Sequence, residues 1–233
     1  SSKKIVVAPT GIAALNIGGT TINSAFRIGF ETIPVITKSK DPRFAKLLKN
    51  LELLIIDEVS MVRAPMLDAI SQSLQIYKKS TEPFGGIHVL ACGDLFQLPP
   101  VVKQHEEREI YDKYDSIYFF DALSFKEVKN VKYFQLDKSF RQEEDEGFYE
   151  LLNNIRIGSD LEKTINKINS QCFDPTLESD AYMTLTSRKN RAEELNNHKL
   201  TYLDSPEEII KSKEFGDLNE NDLPAPRELK IKQ

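Results

Sequence analysis

Two adjacent carboxylates, Asp57 and Glu58, follow directly on the apolar run Leu53-Leu54-Ile55-Ile56. Such a run describes a buried parallel strand that delivers charge at its carboxyl end. There the first carboxylate can hold Mg²⁺, usually through water, and the second can orient or deprotonate a water that attacks a phosphate. This is half of a triphosphate-hydrolysing site. The usual other half, G-x-x-x-x-G-K-[ST], cradles phosphates with backbone N–H groups and a lysine. None of Gly11, Gly18, Gly19, Gly85, Gly86 or Gly93 opens such a run. The residues read as part of an ATP-driven machine supplied without its phosphate grip. A pair of ordinary surface carboxylates is the plainer alternative, and the four apolar residues ahead of them weigh against it.

The elements that must position this chemistry alternate. Ile5-Val6-Val7-Ala8 is a β-branched run stopped by the turn signal Pro9-Thr10-Gly11. Helix-compatible pieces follow at Ile12–Asn16 and from about Thr21 to Phe26, and residues 31–46 read as irregular. Leu51–Ile56 is the next strand. Leu67, Ile70, Leu74 and Tyr77 then recur at helical spacing, with Pro65 suited to a first helical turn. Ile87–Cys92 reads as another buried strand, ending at Gly93-Asp94. Apolar strands separated by helices predict an α/β fold, a parallel sheet wrapped by helices. Ligands of such sheets bind beyond the carboxyl ends of the strands. Pro9-Thr10-Gly11, Asp57-Glu58 and Gly93-Asp94 all occupy that position, which points to one shared site.

Val131–Leu136 predicts a further strand, and helical patterns follow at Phe148, Leu151, Leu152 and Ile155, then at Leu161, Ile165 and Ile168. The stretch from Asp174-Pro175 to Asp180 reads as a linker, Ala181–Thr186 as a new strand, and a helix as beginning after Ser187. The expected division is 1–142, 143–175 and 176–233. Both ends of the chain read as cut edges.

Composition excludes several classes. The 233 residues are 40% hydrophobic and 29% charged, ordinary for a globular protein. No apolar stretch approaches the roughly 20 residues of a membrane-spanning helix. Two distant cysteines, Cys92 and Cys172, and three histidines form neither a disulfide framework nor a zinc pattern, so an intracellular, reducing setting is expected. A net charge of −5 argues against a general polyanion coat and leaves room for a local basic groove.

Four runs together carry a resemblance. They are Ala8-Pro9-Thr10-Gly11-Ile12-Ala13-Ala14-Leu15-Asn16-Ile17-Gly18-Gly19-Thr20-Thr21-Ile22, Ile56-Asp57-Glu58-Val59-Ser60-Met61, Gly93-Asp94-Leu95-Phe96-Gln97-Leu98-Pro99-Pro100-Val101 and Leu136-Asp137-Lys138-Ser139-Phe140-Arg141-Gln142. In this order the chain resembles the Pif1-like helicases of superfamily 1, which relate to the RecD type. The resemblance implies a RecA-like motor domain over 1–142, a helical wedge over 143–175 and the start of a second RecA-like domain over 176–233. It implies ATP and Mg²⁺, with Asp57 on the metal, Glu58 on the attacking water, and Asp94 and Gln97 in the motif that senses the γ-phosphate. Arg141 matches an arginine that points at the same phosphate; a surface salt bridge to Glu143 or Glu144 is its alternative.

Pro9, Thr10, Gly11, Thr20 and Thr21 match a motif that touches single-stranded DNA, and Asn23 stands where the family commonly has histidine. Phe26 is either a stacking surface for a base or a core residue. The implied activity is 5′ to 3′ translocation on single strands and unwinding of forked duplexes by a monomer, cytoplasmic in a bacterium and nuclear or mitochondrial in a eukaryote. A remnant that binds single strands or a partner without turnover, and a helicase module of a mobile-element protein, are the competing expectations. By itself the chain is expected to be catalytically crippled and poorly soluble.

Overall fold

The computed structural model describes residues 3–136, 138, 146–173, 183–212 and 227–232. They fall into two compact units, Ser1–Asn169 and Ser170–Gln233. The first unit opens with β1 (Lys4–Ala8), α1 (Gly11–Asn16), the short β2 (Thr20–Thr21), α2 (Ile22–Phe26), α3 (Pro42–Asn50), β3 (Leu53–Ile56), α4 (Ala64–Lys78) and β4 (His88–Ala91). It continues with α5 (Gln104–Tyr111), α6 (Leu123–Lys126), α7 (Glu146–Ile157) and α8 (Leu161–Cys172), the last reaching just past the division between units.

The four strands form one parallel sheet in the order β2-β1-β3-β4. Register is continuous across its centre: Val7 pairs with Ile56, and Ile56 with Ala91. Val7, Leu54 and Ile56 are fully buried. Burying each such side chain contributes about 1.5–3 kcal/mol.

Helix α4 supplies the main cover. Pro65 sits in its first turn, and Leu67, Ile70, Leu74 and Tyr77 are all buried, as their spacing predicts. The chain then leaves through Lys79 in the left-handed region at φ 55°. Polar groups fix what packs on α4. Ser71 Oγ accepts from Phe84 N at 2.8 Å, and the Asp68 carboxylate accepts from Leu123 N and Ser124 N at 3.2 and 2.8 Å, capping α6. Burial, reinforced by the Asp68 carboxylate, pushes the Tyr114 hydroxyl well above its ordinary pKa.

Several expectations need correction. Residues 42–50, placed partly in an irregular stretch, form α3: Asp41 caps it through Arg43 N, Pro42 occupies its first turn, and Phe44 and Leu48 enter the core. Val131–Leu136 is not a strand. Tyr133, Phe134 and Leu136 are more than four-fifths exposed, and the stretch pairs with no strand among the described residues. Among the same residues β4 is an edge, with Leu90 half exposed, where a buried strand was expected.

In the second unit, the expected strand Ala181–Thr186 has its first two residues outside the described ones, and Met183–Thr186 is irregular and exposed, while α9 (Lys189–Thr201) begins shortly after Ser187 as predicted. An antiparallel hairpin of β5 (Glu208–Lys211) and β6 (Glu228–Ile231) completes that unit, with Lys211 and Glu228 paired at 3.1 Å.

Candidate functional site: the carboxyl edge of the sheet

Parallel pairing sends the polar ends of β1, β3 and β4 out on one edge. Asp57 N donates to Val7 O at 2.9 Å, Cys92 N to Ile56 O at 2.8 Å, and Val59 N to Cys92 O at 2.9 Å. These ladder bonds place Asp57-Glu58 between Pro9-Thr10-Gly11 and Gly93-Asp94, on strands about 4.8 Å apart. The negative charge of Asp57 reaches Cys92: burial first, and then that charge, push the thiol above its usual range.

Glu58 has left-handed backbone angles, φ 50° and ψ 42°, a costly state for a residue with a side chain. It persists because Val59 and Ser60, immediately after it, are buried and begin a 3-10 turn. Gly93 packs directly on that turn. A Cβ there would lie 3.0 Å from Ser60 N, Val59 N and Val59 Cγ1, so the glycine is required by close approach. Strain at Glu58 and contact at Gly93 thus belong to one rigid junction.

Beyond Gly93 the chain turns, with Gln97 N donating to Asp94 O at 3.0 Å. The Asp94 carboxylate gathers this loop. It accepts from Phe96 N at 3.0 Å and Gln97 Nε2 at 3.3 Å, and from Arg156 Nε at 2.8 Å and Nη2 at 3.1 Å. The Arg156 guanidinium holds the Asp94 carboxyl below the usual carboxylate range, aided by the Phe96 N–H and the Gln97 amide and opposed by partial burial. Gln97 itself is exposed.

The expected DNA-contacting residues divide. Thr10 caps α1 by accepting from Ala13 N at 3.3 Å, and Thr21 caps α2 by accepting from Ser24 N at 3.2 Å. A hydroxyl that accepts can still donate, so both keep an O–H for a phosphate. Pro9, Thr10 and Thr21 are half-buried and Gly11 and Thr20 exposed, along the first two strand ends. Asn23 differs: its amide nitrogen donates to Ile28 O at 3.1 Å and Gly29 O at 3.0 Å, which occupies both N–H groups in holding the chain after α2. Phe26, one reading of which made it a base-stacking surface, is 3% exposed and belongs to the core.

Arg141 lies outside the described residues. Sequence reasoning missed Arg156 altogether, since nothing local marks one arginine in the last turn of a helix as the partner of an aspartate 62 residues away.

No group of three or more His, Cys, Asp or Glu able to hold a metal occurs among the described residues.

Comparison with known proteins bears on the family and the fold. The PIF1-like helicase family model matches residues 1–166. ATP-dependent DNA helicase PIF1 of Saccharomyces cerevisiae is 31% identical over 97% of this chain and 27% of its own length. The Candida albicans protein of the same name is 36% identical over 66% of this chain and 17% of its own. Among solved structures, Bacteroides Pif1 bound to single-stranded DNA superposes with a TM-score of 0.84 at 38% identity, over 98% of this chain and 54% of that one. Its complex with ADP-AlF3 and single-stranded DNA gives 0.82 at 36% identity, over 100% and 54%. The chain thus spans about half of those solved proteins, and their α/β, RecA-like fold is the one described here. By the family match and the fold together, this chain belongs to the PIF1-like helicase family.

Proposed function

We propose that this chain is part of an ATP-dependent, 5′ to 3′ DNA helicase. The observation that carries the reading is the register of β3 and β4, which sets Asp57-Glu58 beside Gly93-Asp94 on the ligand-binding edge of the sheet. In this reading Asp57 would hold Mg²⁺, whose chemistry there would be to neutralise charge on the triphosphate. Glu58, fixed by its strained turn, aligns the attacking water and takes its proton. Gln97 offers an amide that can donate to the γ-phosphate while accepting from that water. Arg141 stabilises the loosened phosphoryl group through its permanent charge.

Pro9, Thr10, Gly11, Thr20 and Thr21 form the strand-holding surface, gripping DNA phosphates without reading bases. Helices α7 and α8, which lie within 143–175, form the wedge, and 176–233 opens the second motor domain. The protein works inside the cell as a monomer on single strands and forked duplexes.

Single-strand-stimulated ATP hydrolysis by this chain, set against a version extended at both ends to include a phosphate loop, tests the reading. The expected outcome is turnover only in the longer protein, abolished by Glu58→Gln. Robust turnover by the shorter chain refutes its expected dependence on that loop. A longer protein that binds single strands in a salt-dependent way, with no turnover at any nucleotide concentration, supports instead a binding remnant.

A further inference from the structure

Arg156 stands in the last turn of α7, yet its partners lie in the loop after β4. Its guanidinium meets Asp94 as a two-bond fork, Nε to Oδ2 at 2.8 Å and Nη2 to Oδ1 at 3.1 Å. The same group lies 4.9 Å over the Phe96 ring, and Nη1 donates to Asn153 Oδ1 at 3.4 Å. A planar fork, a ring face and a neighbouring amide fix its orientation, which lysine could not reproduce.

The bond lengths around Asp94 are unequal in an informative way. Oδ2 accepts a charge-assisted bond from Arg156 at 2.8 Å and a neutral one from Gln97 Nε2 at 3.3 Å. The longer bond lies just past the usual N–H···O range and, being neutral, is the weaker of the two. With its charge already satisfied, the carboxylate holds the amide loosely, so the amide can exchange onto another acceptor. Without Arg156, Gln97 becomes the remaining side-chain donor for an uncompensated carboxylate, and the amide is captured.

We propose that Arg156 is a positioning residue for ATP hydrolysis: acting through Asp94, it keeps the Gln97 amide free to turn to the terminal phosphate and thereby ties α7 to the nucleotide state. This rests on the function proposed above. Asp94 is the hub, the Gln97 amide is the moving part, and α7 is the element that feels the exchange. When the amide leaves Oδ2 for a phosphate, the fork remains as the side-chain bond on that oxygen among the described residues and tightens. Tightening draws the last turn of α7 toward the sheet edge.

Two measurements test this, one independent of catalysis. The sequence has no tryptophan, so Phe96→Trp places a single reporter under the guanidinium. Arg156→Gln in that background is expected to red-shift the emission and raise its quenching by acrylamide. An unchanged spectrum means that the fork does not form in solution and overturns the proposal.

In the extended protein, Arg156→Gln is expected to lower kcat for single-strand-stimulated ATP hydrolysis by about ten- to a hundredfold, with KM for ATP little changed. Arg156→Lys restores only part of that loss. In an Asp94→Asn background the same substitution costs little more, because the hub is already gone. Losses that multiply across the two sites, or a rise in KM alone, overturn the positioning role. An extended protein inert toward ATP before any substitution sinks the hydrolysis reading and this role with it, while the tryptophan reporter still judges the fork.

Discussion

Gly93→Ala probes the junction on which the candidate site depends. The added Cβ would sit 3.0 Å from Ser60 N, Val59 N and Val59 Cγ1. Non-bonded atoms prefer roughly 3.5–4.0 Å, so the turn after Glu58 or the β4 end must retreat by about half an ångström. Two of the three obstacles are backbone, which yields less easily than a long side chain. Overpacking of this kind costs about 1–3 kcal/mol. Replacing glycine also restricts the unfolded chain, which returns roughly 0.4–1 kcal/mol.

Taking mid-range values, the net loss is about 1.3 kcal/mol, equivalent to a fall of roughly 3–5 °C in Tm for a domain of this size. Thermal melting followed by far-ultraviolet circular dichroism reads it directly. Gly11→Ala is the control. It opens α1 with nothing within 4 Å of its added Cβ, and is expected to melt at or slightly above the parent temperature. Because Val59 directly follows Glu58, the same retreat shifts the carboxylate proposed to align water, and turnover in the extended protein should fall further than stability alone explains. A Gly93→Ala protein that melts like its parent would show that the close approach is absent, and the rigid junction with it.

The remaining predictions concern other polar contacts and the sheet edge. Glu106 is largely buried beside Arg63, and its Oε2 accepts from Lys103 N at 2.8 Å. Burial raises its carboxyl, but the Lys103 N–H, the Arg63 charge and the Thr32 hydroxyl together hold it below the usual range. A depressed carboxyl stabilises the fold above its unfolded pKa, about 4.3, and loses that contribution as pH falls through the folded value. Glu106→Gln should accordingly cost about 1–2 kcal/mol in urea unfolding at pH 7, and the gap to the parent should narrow below about pH 4; a gap independent of pH contradicts the pairing.

Asn23→Ala removes the donors to Ile28 O and Gly29 O and should cost roughly 1–2 kcal/mol, while single-strand affinity measured by fluorescence anisotropy stays near the parent value. A large affinity loss without a stability loss would return Asn23 to the DNA surface. Leu90→Lys puts a charge on the exposed edge strand and should reduce self-association in light scattering without lowering Tm. Equal association in both proteins refutes the edge as its source.

Local pattern alone made much of this protein legible. Leu53–Ile56 running into two carboxylates, the stop at Pro9-Thr10-Gly11, the Gly93-Asp94 turn and the period of Leu67, Ile70, Leu74 and Tyr77 each depend on residues close in sequence. They sufficed for a parallel sheet, its main helix and the edge where charge collects. Helix α3 was also within reach, since Asp41-Pro42 is a start signal and Phe44 and Leu48 share a face.

What the chain does at a distance was decided only by folding. β1 lies between β2 and β3, β4 is an edge, and Val131–Leu136 does not pair with it. Phe26 goes to the core and the Asn23 amide turns inward because of where the chain after α2 returns. The Asp94–Arg156 fork joins residues 62 apart. Apolar period is written residue by residue, whereas the partner of a strand edge or a charge exists only once separate segments have been brought together in space.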